Sequence, residues 1–195
     1  LRTVQQDRAK KMNAVILAWP NWYNQSIFYL WMKEKPKLSK VTGIDLKGLK
    51  FRTTPLYTPF LKAMGATTKN ISPAEIYTAL ERGVVDGLAW PEGGVALRGW
   101  HRFVKLKVGP AFFRSTTMLT MNKDSFNKLP KKGQDQIMAA AMHYENESDA
   151  ILKGLVANDD AKIFADGVSA YNVPGEYGKA FTATILKANW ADAIG

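Results

Sequence analysis

Arg52 is the side chain whose type and position point most directly to chemistry. It lies in the run LKFRTT, which its length and its apolar and threonine content predict to be a strand. In open α/β sheets, ligands bind beyond the carboxyl ends of the strands. A guanidinium offers a planar fork that can hold a carboxylate through two charge-assisted hydrogen bonds. Arg52 is therefore a candidate anchor for an acidic ligand, and the alternative is an exposed arginine at a strand end.

The elements around Arg52 alternate between strand and helix over residues 46–91. Tyr57 to Met64 presents an apolar helical face, and Gly65 follows it as a candidate C-terminal cap. Ser72 to Glu75 reads as a capping box with proline at the first helical position. Gly83 ends that second helix, and Val84-Val85 is expected to open the next strand. This alternation predicts an α/β fold.

Sequence signals for catalysis are weak. The two histidines, His101 and His143, show no metal-ligand spacing, and the chain contains no cysteine. The motifs GxSxG, SxxK and GxGxxG are absent, and the glycine-rich run EGGVALRG does not match a phosphate-binding loop. We predict no cofactor and no metal. An α/β enzyme that holds an acidic substrate through Arg52 remains an alternative.

The net charge of +10 favours anionic partners, so nucleic-acid binding is a second and weaker alternative. The densest basic stretch, FYLWMKEKPKLSK, also contains aromatic residues, but no recognition motif accompanies it. Residues 12–32 carry no charge and are long enough to cross a bilayer. Pro20 and several asparagines interrupt this segment, so two buried elements are predicted there and no membrane insertion.

The sequence after Pro130 predicts a very long helix. Apolar or small residues recur at steps of three or four after Pro130 and continue to about Asp166. The alternative is two ordinary helices divided near Gly154. The run VSAYNVP then predicts a short strand, and residues 176–193 predict a final helix.

Four segments resemble the solute-binding proteins of tripartite ATP-independent periplasmic (TRAP) transporters, the DctP-type family. These are LKGLKFR, LKAMGAT, EIYTALERGVVDG followed by Trp-Pro, and LTMNKDSFNKLP. The resemblance implies a periplasmic, two-lobed α/β receptor with a long spine helix, which closes on an organic acid. It further implies delivery of that acid to the TRAP membrane permease subunits, and binding without catalysis.

The resemblance also implies roles for two residues of this chain. The carboxylate-binding arginine of the family motif KGxKxR falls on Arg52. The position that ends the Asp-Gly motif, often polar in relatives that bind sialic acid, falls on Trp90. No arginine occurs between Arg8 and Arg52, where sialic-acid receptors carry another. With one matched arginine and several tryptophans, we expect an aromatic or branched monocarboxylate rather than a sugar acid.

The resemblance predicts how the lobes divide the chain. Residues 1–18 and 115–154 are expected to form lobe I, and residues 19–114 and 155–195 to form lobe II. Because the sequence opens inside a predicted helix, LRTVQQDRAKKM, we expect the first part of lobe I, with its signal peptide, to be missing. Chain crossings near Trp19 and Arg114 are expected to form the hinge.

Further ligand contacts are predicted from residues near these crossings and near the arginine strand. Arg114 is a possible second carboxylate ligand, although a hinge arginine can also pair with an acidic neighbour. For the aromatic candidates, packing in the core is the alternative role. These candidates are Trp19, Trp22, Tyr57 and Phe113.

Overall fold

The structure, a computed structural model, describes residues 2–20 and 26–194, with side chains for residues 5–20 and 27–188. The strands are β1 Ala14–Ala18, β2 Ser26–Met32, β3 Lys37–Ser39, β4 Gly43–Asp45, β5 Lys50–Thr53, β6 Thr67–Asn70, β7 Gly87–Pro91, β8 Leu106–Ser115, β9 Leu119–Asn122 and β10 Ser169–Asn172. The helices are α1 Arg2–Lys11, α2 Thr58–Ala63, α3 Ile76–Glu81, α4 Lys123–Asn127, α5 Lys131–Ala165 and α6 Gly175–Ile194. Short 3₁₀ turns cover Pro55–Tyr57, Pro73–Glu75 and Trp100–Phe103. The predicted α/β class is confirmed.

A mixed six-stranded sheet positions Arg52. Its strand order is β10-β8-β2-β7-β5-β6, with β5 parallel to both β6 and β7. Arg52 pairs with Leu88 on β7 and with Lys69 on β6. Because the three strands are parallel, their carboxyl ends meet at the same edge of the sheet, which is where ligands bind in open α/β folds.

Local signals set the elements on either side of Arg52. The backbone N–H of Ser72 donates to Glu75 Oε2 at 3.2 Å, so the predicted capping box is confirmed. Gly65 follows α2 with a φ of +88°, the left-handed conformation expected of a helix cap.

The predicted strand start at Val84-Val85 is wrong, because β7 begins at Gly87. Gly87 lies opposite Phe51 in the ladder, and a Cβ at position 87 would lie 2.6 Å from the carbonyl oxygen of Trp31 and 2.8 Å from the Phe51 ring. Only a glycine fits this close approach of the strands. Residues 84–86 instead form an irregular connection that leads into the strand, with Val85 fully buried.

Helix α5 runs without interruption from Lys131 to Ala165, a length of 35 residues. The alternative of two helices divided near Gly154 is therefore wrong. A Cβ at position 154 would meet nothing within 4 Å. The glycine lies in open space and lowers helix propensity without breaking the helix.

The sheet carries a hydrophobic cluster on each face, because side chains alternate along its strands. On β2, Leu30 belongs to the cluster that contains Phe60 and Phe181, whereas Trp31 belongs to the cluster that contains Trp100 and Ile163. All of these side chains are at most 1% exposed. The strand that carries Arg52 therefore lies in a sheet that is covered on both faces.

The chain divides into two compact units. One comprises residues 1–26 and 115–155, where β1 pairs antiparallel with β9 and Ala18 packs near Ala141. The other comprises residues 27–114 and 156–195 and contains the six-stranded sheet. The assignment of lobes made from the sequence stays a prediction. Among the residues that the structure describes, no helix is long and apolar enough to cross a membrane.

Candidate ligand-binding site

Arg52 is buried, with only 3% of its surface exposed. It is the third residue of β5, next to the carboxyl end of that strand. Its neighbour Phe51 packs in the core, and the ladder to β6 and β7 fixes the backbone on either side. The alternative of an exposed strand-end arginine is therefore wrong.

Three parallel strands contribute to the surroundings of the guanidinium. Nε donates to the carbonyl oxygen of Ile71, just beyond β6, at 3.0 Å. Nη1 donates to the hydroxyl of Tyr57, which follows β5, at 3.0 Å. The indole of Trp90, on β7, has its ring centroid 4.9 Å from Cζ, within the range of a cation–π contact. The predicted residues Arg52, Tyr57 and Trp90 are thus brought together.

Tyr57 links Arg52 to the neighbouring strand. Its hydroxyl donates to the carbonyl oxygen of Ala89 at 3.0 Å while it accepts from Arg52, so both of these buried groups are satisfied. Burial raises the pKa of Tyr57, and the nearby arginine opposes that rise. Burial lowers the pKa of Arg52, although its phenol partner acts in the opposite direction.

No carboxylate lies within 4.0 Å of Arg52 among residues 5–20 and 27–188, whose side chains the structure describes. A guanidinium has five N–H donors, and Arg52 uses two of them in the contacts above. Burying a cation without an acidic partner is costly, and hydrogen bonds to neutral oxygens offset this cost only in part. The remaining donors and the uncompensated charge suit an incoming carboxylate.

Trp90 has further contacts that fix its orientation. Its ring meets Trp100 edge to face, with centroids 4.8 Å apart and an angle of 87° between the ring planes. The guanidinium carbon of Arg98 lies 5.5 Å from the Trp90 ring and 5.4 Å from the Trp100 ring. The backbone carbonyl of Trp90 accepts a hydrogen bond from Trp31 Nε1 at 3.1 Å. Neither Trp100 nor Arg98 was predicted from the sequence.

The loop after Trp90 is attached to helix α5 by Asp159. This carboxylate is 8% exposed and accepts hydrogen bonds from the backbone N–H groups of Val95, Ala96 and Leu97 at 2.9 to 3.2 Å. The loop is the glycine-rich run EGGVALRG, whose amides therefore bind an internal carboxylate. Asp159 lies more than 60 residues beyond the loop, so no local sequence pattern indicated this contact.

A second buried charge cluster lies near the start of this loop. Lys107 Nζ is 2.8 Å from Asp160 and 3.6 Å from Glu92, and it lies 4.6 Å from the centroid of the Tyr29 ring. Burial raises the pKa of Glu92, the negative charge of Asp160 adds to the rise, and Lys107 opposes it. The positive charge of Arg114, a predicted ligand residue, also acts to lower the pKa of Glu92.

The other predicted site residues have different surroundings. Phe113 lies 6.2 Å from the Tyr57 ring and 5.3 Å from the Phe28 ring, so it borders the phenol of the arginine site. Trp19 belongs to the other unit, where it packs with Ile16 and its backbone N–H donates to Glu145 at 2.8 Å. Trp22 lies outside the described residues.

His101 contacts a carboxylate at the end of α5. His101 is 5% exposed, and its Nε2 lies 2.8 Å from Asp166, which also accepts a hydrogen bond from Lys162. This is a structural contact at the end of α5. Within the described part of the chain, no group of three or more histidine, aspartate or glutamate side chains could hold a metal ion.

Comparison with known proteins identifies relatives across most of the chain. A solute-binding protein of Verminephrobacter eiseniae is 32% identical over 124 residues, which are 63% of this chain and 36% of the relative. A monocarboxylate 2-oxoacid-binding periplasmic protein of Nostoc is 28% identical over 129 residues, covering 62% of this chain and 34% of the relative. The matched segments thus cover about a third of the length of these curated relatives.

The fold is shared with solved receptor structures. An extracytoplasmic solute receptor of Bordetella pertussis that binds pyroglutamic acid superposes with a TM-score of 0.84 at 19% identity, covering 100% of this chain and 63% of the receptor. Residues 5–192 match the family described as bacterial extracellular solute-binding protein, family 7, or DctP. The chain therefore belongs to the DctP family of extracellular solute-binding proteins.

Proposed function

We propose that this chain captures an organic carboxylate through Arg52, as part of a receptor that delivers the acid to a TRAP membrane permease. The observation that carries the proposal is the buried guanidinium, 3% exposed, for which the described side chains provide no acidic partner. The membership of the chain in a solute-binding family supports binding rather than catalysis. The same membership supports a periplasmic location and a permease partner as parts of this proposal.

The surroundings of Arg52 suit reversible binding of an anion. Tyr57 and the Ile71 carbonyl orient the guanidinium fork before a ligand arrives, so less side-chain entropy is lost on binding. A carboxylate at the free donors would form charge-assisted hydrogen bonds in a place that is shielded from water, where such bonds are strong. The ion pair would offset the desolvation of Arg52 only if its geometry is good.

We propose an aromatic or branched monocarboxylate as the ligand. Trp90 borders the guanidinium with an apolar ring, and Phe113 and Phe28 lie close to Tyr57. These rings offer burial to an apolar group but few hydrogen bonds to a heavily hydroxylated sugar acid. The Nostoc relative, whose name gives a monocarboxylate 2-oxoacid as its ligand, supports this choice.

A thermal-shift screen with acids and their amides tests the proposal. Benzoate, 3-methylbutanoate and 4-methyl-2-oxopentanoate are each compared with the amide of the same acid, which keeps the shape and removes the charge. A ligand at about 100 times its Kd stabilises the folded state by about 2.7 kcal/mol, which raises the midpoint of thermal unfolding by about 5 to 10 °C. We expect the acids to raise the midpoint and the amides not to. Equal shifts from acids and amides would contradict the capture of a carboxylate. Shifts from sugar acids alone would contradict the proposed preference for an aromatic or branched acid.

A further inference from the structure

We propose that Arg98 makes this site reject ligands that carry an ammonium group beside their carboxylate. The site would then accept 2-hydroxy, 2-oxo or unsubstituted acids and exclude α-amino acids. This inference rests on the proposed function, because it assumes that Arg52 holds the carboxylate. The glycine-rich loop 92–99, which carries Arg98, would thus determine this ligand selectivity.

Arg98 and Arg52 share one aromatic neighbour. The guanidinium carbon of Arg52 lies 4.9 Å from the centroid of the Trp90 ring, and that of Arg98 lies 5.5 Å from the same centroid. The two guanidinium carbons are therefore at most about 11 Å apart. A ligand whose carboxylate binds Arg52 and whose body contacts Trp90 lies within the field of both cations.

The loop holds the Arg98 side chain against its own backbone. Nη1 of Arg98 donates to the carbonyl oxygen of Gly94 at 3.0 Å, and the guanidinium also lies 5.4 Å from the Trp100 ring. Gly94 has a φ of +81°, and a Cβ at this position would overlap Nη1 of Arg98. A glycine is therefore required for the guanidinium to occupy this place.

The acidic groups close to this loop have other partners. Asp159 accepts hydrogen bonds from the loop amides, and Glu92 and Asp160 both lie within 4.0 Å of Lys107. Neither Arg52 nor Arg98 has a carboxylate within 4.0 Å among the described side chains. An ammonium group near Trp90 would thus meet two cations and, among the described side chains, no carboxylate that is free to pair with it.

Like charges at such distances give a measurable selectivity. At about 10 Å and an effective dielectric constant of about 20, the repulsion between two unit charges corresponds to about a fifteenfold change in Kd. Salt and the solvent exposure of Arg98 reduce this effect. Selectivity of this kind comes from destabilising the unwanted ligand rather than from strengthening the preferred one. Arg98 would therefore act mainly on the affinity for amino acids.

Matched ligand pairs test the inference by calorimetry in low salt. Each pair replaces a hydroxyl with an ammonium group on one skeleton: lactate and alanine, 2-hydroxy-4-methylpentanoate and leucine, phenyllactate and phenylalanine. We expect the unaltered protein to prefer the hydroxy acids at least tenfold. Arg98→Gln should reduce this preference by about three- to tenfold, chiefly through tighter amino-acid binding, and Arg98→Lys should retain most of it. An unchanged preference in Arg98→Gln would overturn the inference.

A second variant displaces Arg98 without removing it. In Gly94→Ala the new Cβ takes the place of Nη1, so the preference should also fall. Gly48→Ala is the control, because Gly48 has a similar φ of +82° but nothing lies within 4 Å of a Cβ there. Equal preferences in these two variants would contradict the inference. Arg52-dependent binding of hydroxy acids with no preference over amino acids overturns this inference alone, whereas no binding of any acid overturns the proposed function as well.

Discussion

The phenol oxygen of Tyr57 lies 3.0 Å from Nη1 of Arg52, and this hydrogen bond orients the guanidinium at the end of its strand. The contact depends on the 3₁₀ turn Pro55–Tyr57, which turns the chain immediately after β5. Tyr57 in turn donates to Ala89 on the neighbouring strand β7. The arginine is therefore fixed by the sheet itself before any ligand binds.

Tyr57→Phe should weaken both folding and binding. The variant leaves Arg52 Nη1 and the Ala89 carbonyl without their buried partner, which costs about 1 to 3 kcal/mol in the free energy of unfolding. Carboxylate affinity should fall as well, because the guanidinium loses its orientation. Urea denaturation and calorimetry measure the two effects. Tyr144→Phe is the control, since Tyr144 is 49% exposed. Equal stabilities of the two variants would contradict this role of the hydroxyl.

Trp90→Leu should destabilise the fold more than Trp90→Phe. Leucine removes the ring that contacts Arg52 and the edge contact with Trp100, whereas phenylalanine keeps an aromatic face for the cation. We expect losses of about 2 to 4 kcal/mol for leucine and about 1 kcal/mol for phenylalanine, measured by urea denaturation. If Trp90→Phe destabilises the fold as much as Trp90→Leu, an aromatic face at this position does not contribute to stability.

Glu92→Gln should become more stable relative to the unaltered protein as the pH rises. Burial raises the pKa of Glu92 above its ordinary value of 4.5. The stabilisation that comes from protonating Glu92 is therefore complete below about pH 4.5 and is lost as the pH rises through the raised pKa. Glutamine stays neutral throughout, and Lys107 keeps Asp160 as its partner. The midpoint of thermal unfolding of Glu92→Gln should rise relative to that of the unaltered protein between pH 4 and pH 8.

The control for this pH series is Glu81→Gln, because Glu81 is exposed at the end of α3. Its midpoint should follow that of the unaltered protein across the series. A constant difference between Glu92→Gln and the unaltered protein over the same range would contradict the raised pKa.

Asp159→Asn should loosen the loop that carries Arg98. The carboxylate accepts from three consecutive backbone amides, and an asparagine turned with its NH₂ toward them would present donors to donors. We expect a loss of about 2 kcal/mol in stability and greater acrylamide quenching of tryptophan fluorescence. Glu147→Gln, an exposed position on the same helix, should leave both unchanged. Unchanged quenching in Asp159→Asn would show that the loop does not depend on this anchor.

The elements around the site were predictable because their signals are local. The capping box at Ser72, the glycine cap at Gly65 and the apolar repeat of α5 each depend on residues close in sequence. The start of β7 was misplaced, because β-branched residues indicated a strand at Val84. The ladder to Phe51 instead requires a glycine at position 87, and this close approach of two strands is a tertiary constraint.

The site itself was predictable only in part. Arg52 stood out through its position at a strand end and through the family motif. Tyr57 follows the same strand, and Trp90 lies on the neighbouring strand β7. Arg98 could not be assigned from its spacing, because it reaches Trp90 only when the glycine-rich loop folds back on itself. The anchor of that loop, Asp159, lies more than 60 residues further along the chain, so no local pattern connects them.

Calorimetric titration of Arg52→Ala tests the central claim most directly. The acid that gives the largest thermal shift is titrated into the unaltered protein, into Arg52→Ala and into Arg102→Ala, a control at an exposed position of the same unit. Loss of a desolvated charge pair should weaken binding by about 2 to 5 kcal/mol in Arg52→Ala, and the control should bind as the unaltered protein does. Unchanged carboxylate affinity in a folded Arg52→Ala variant would contradict the account.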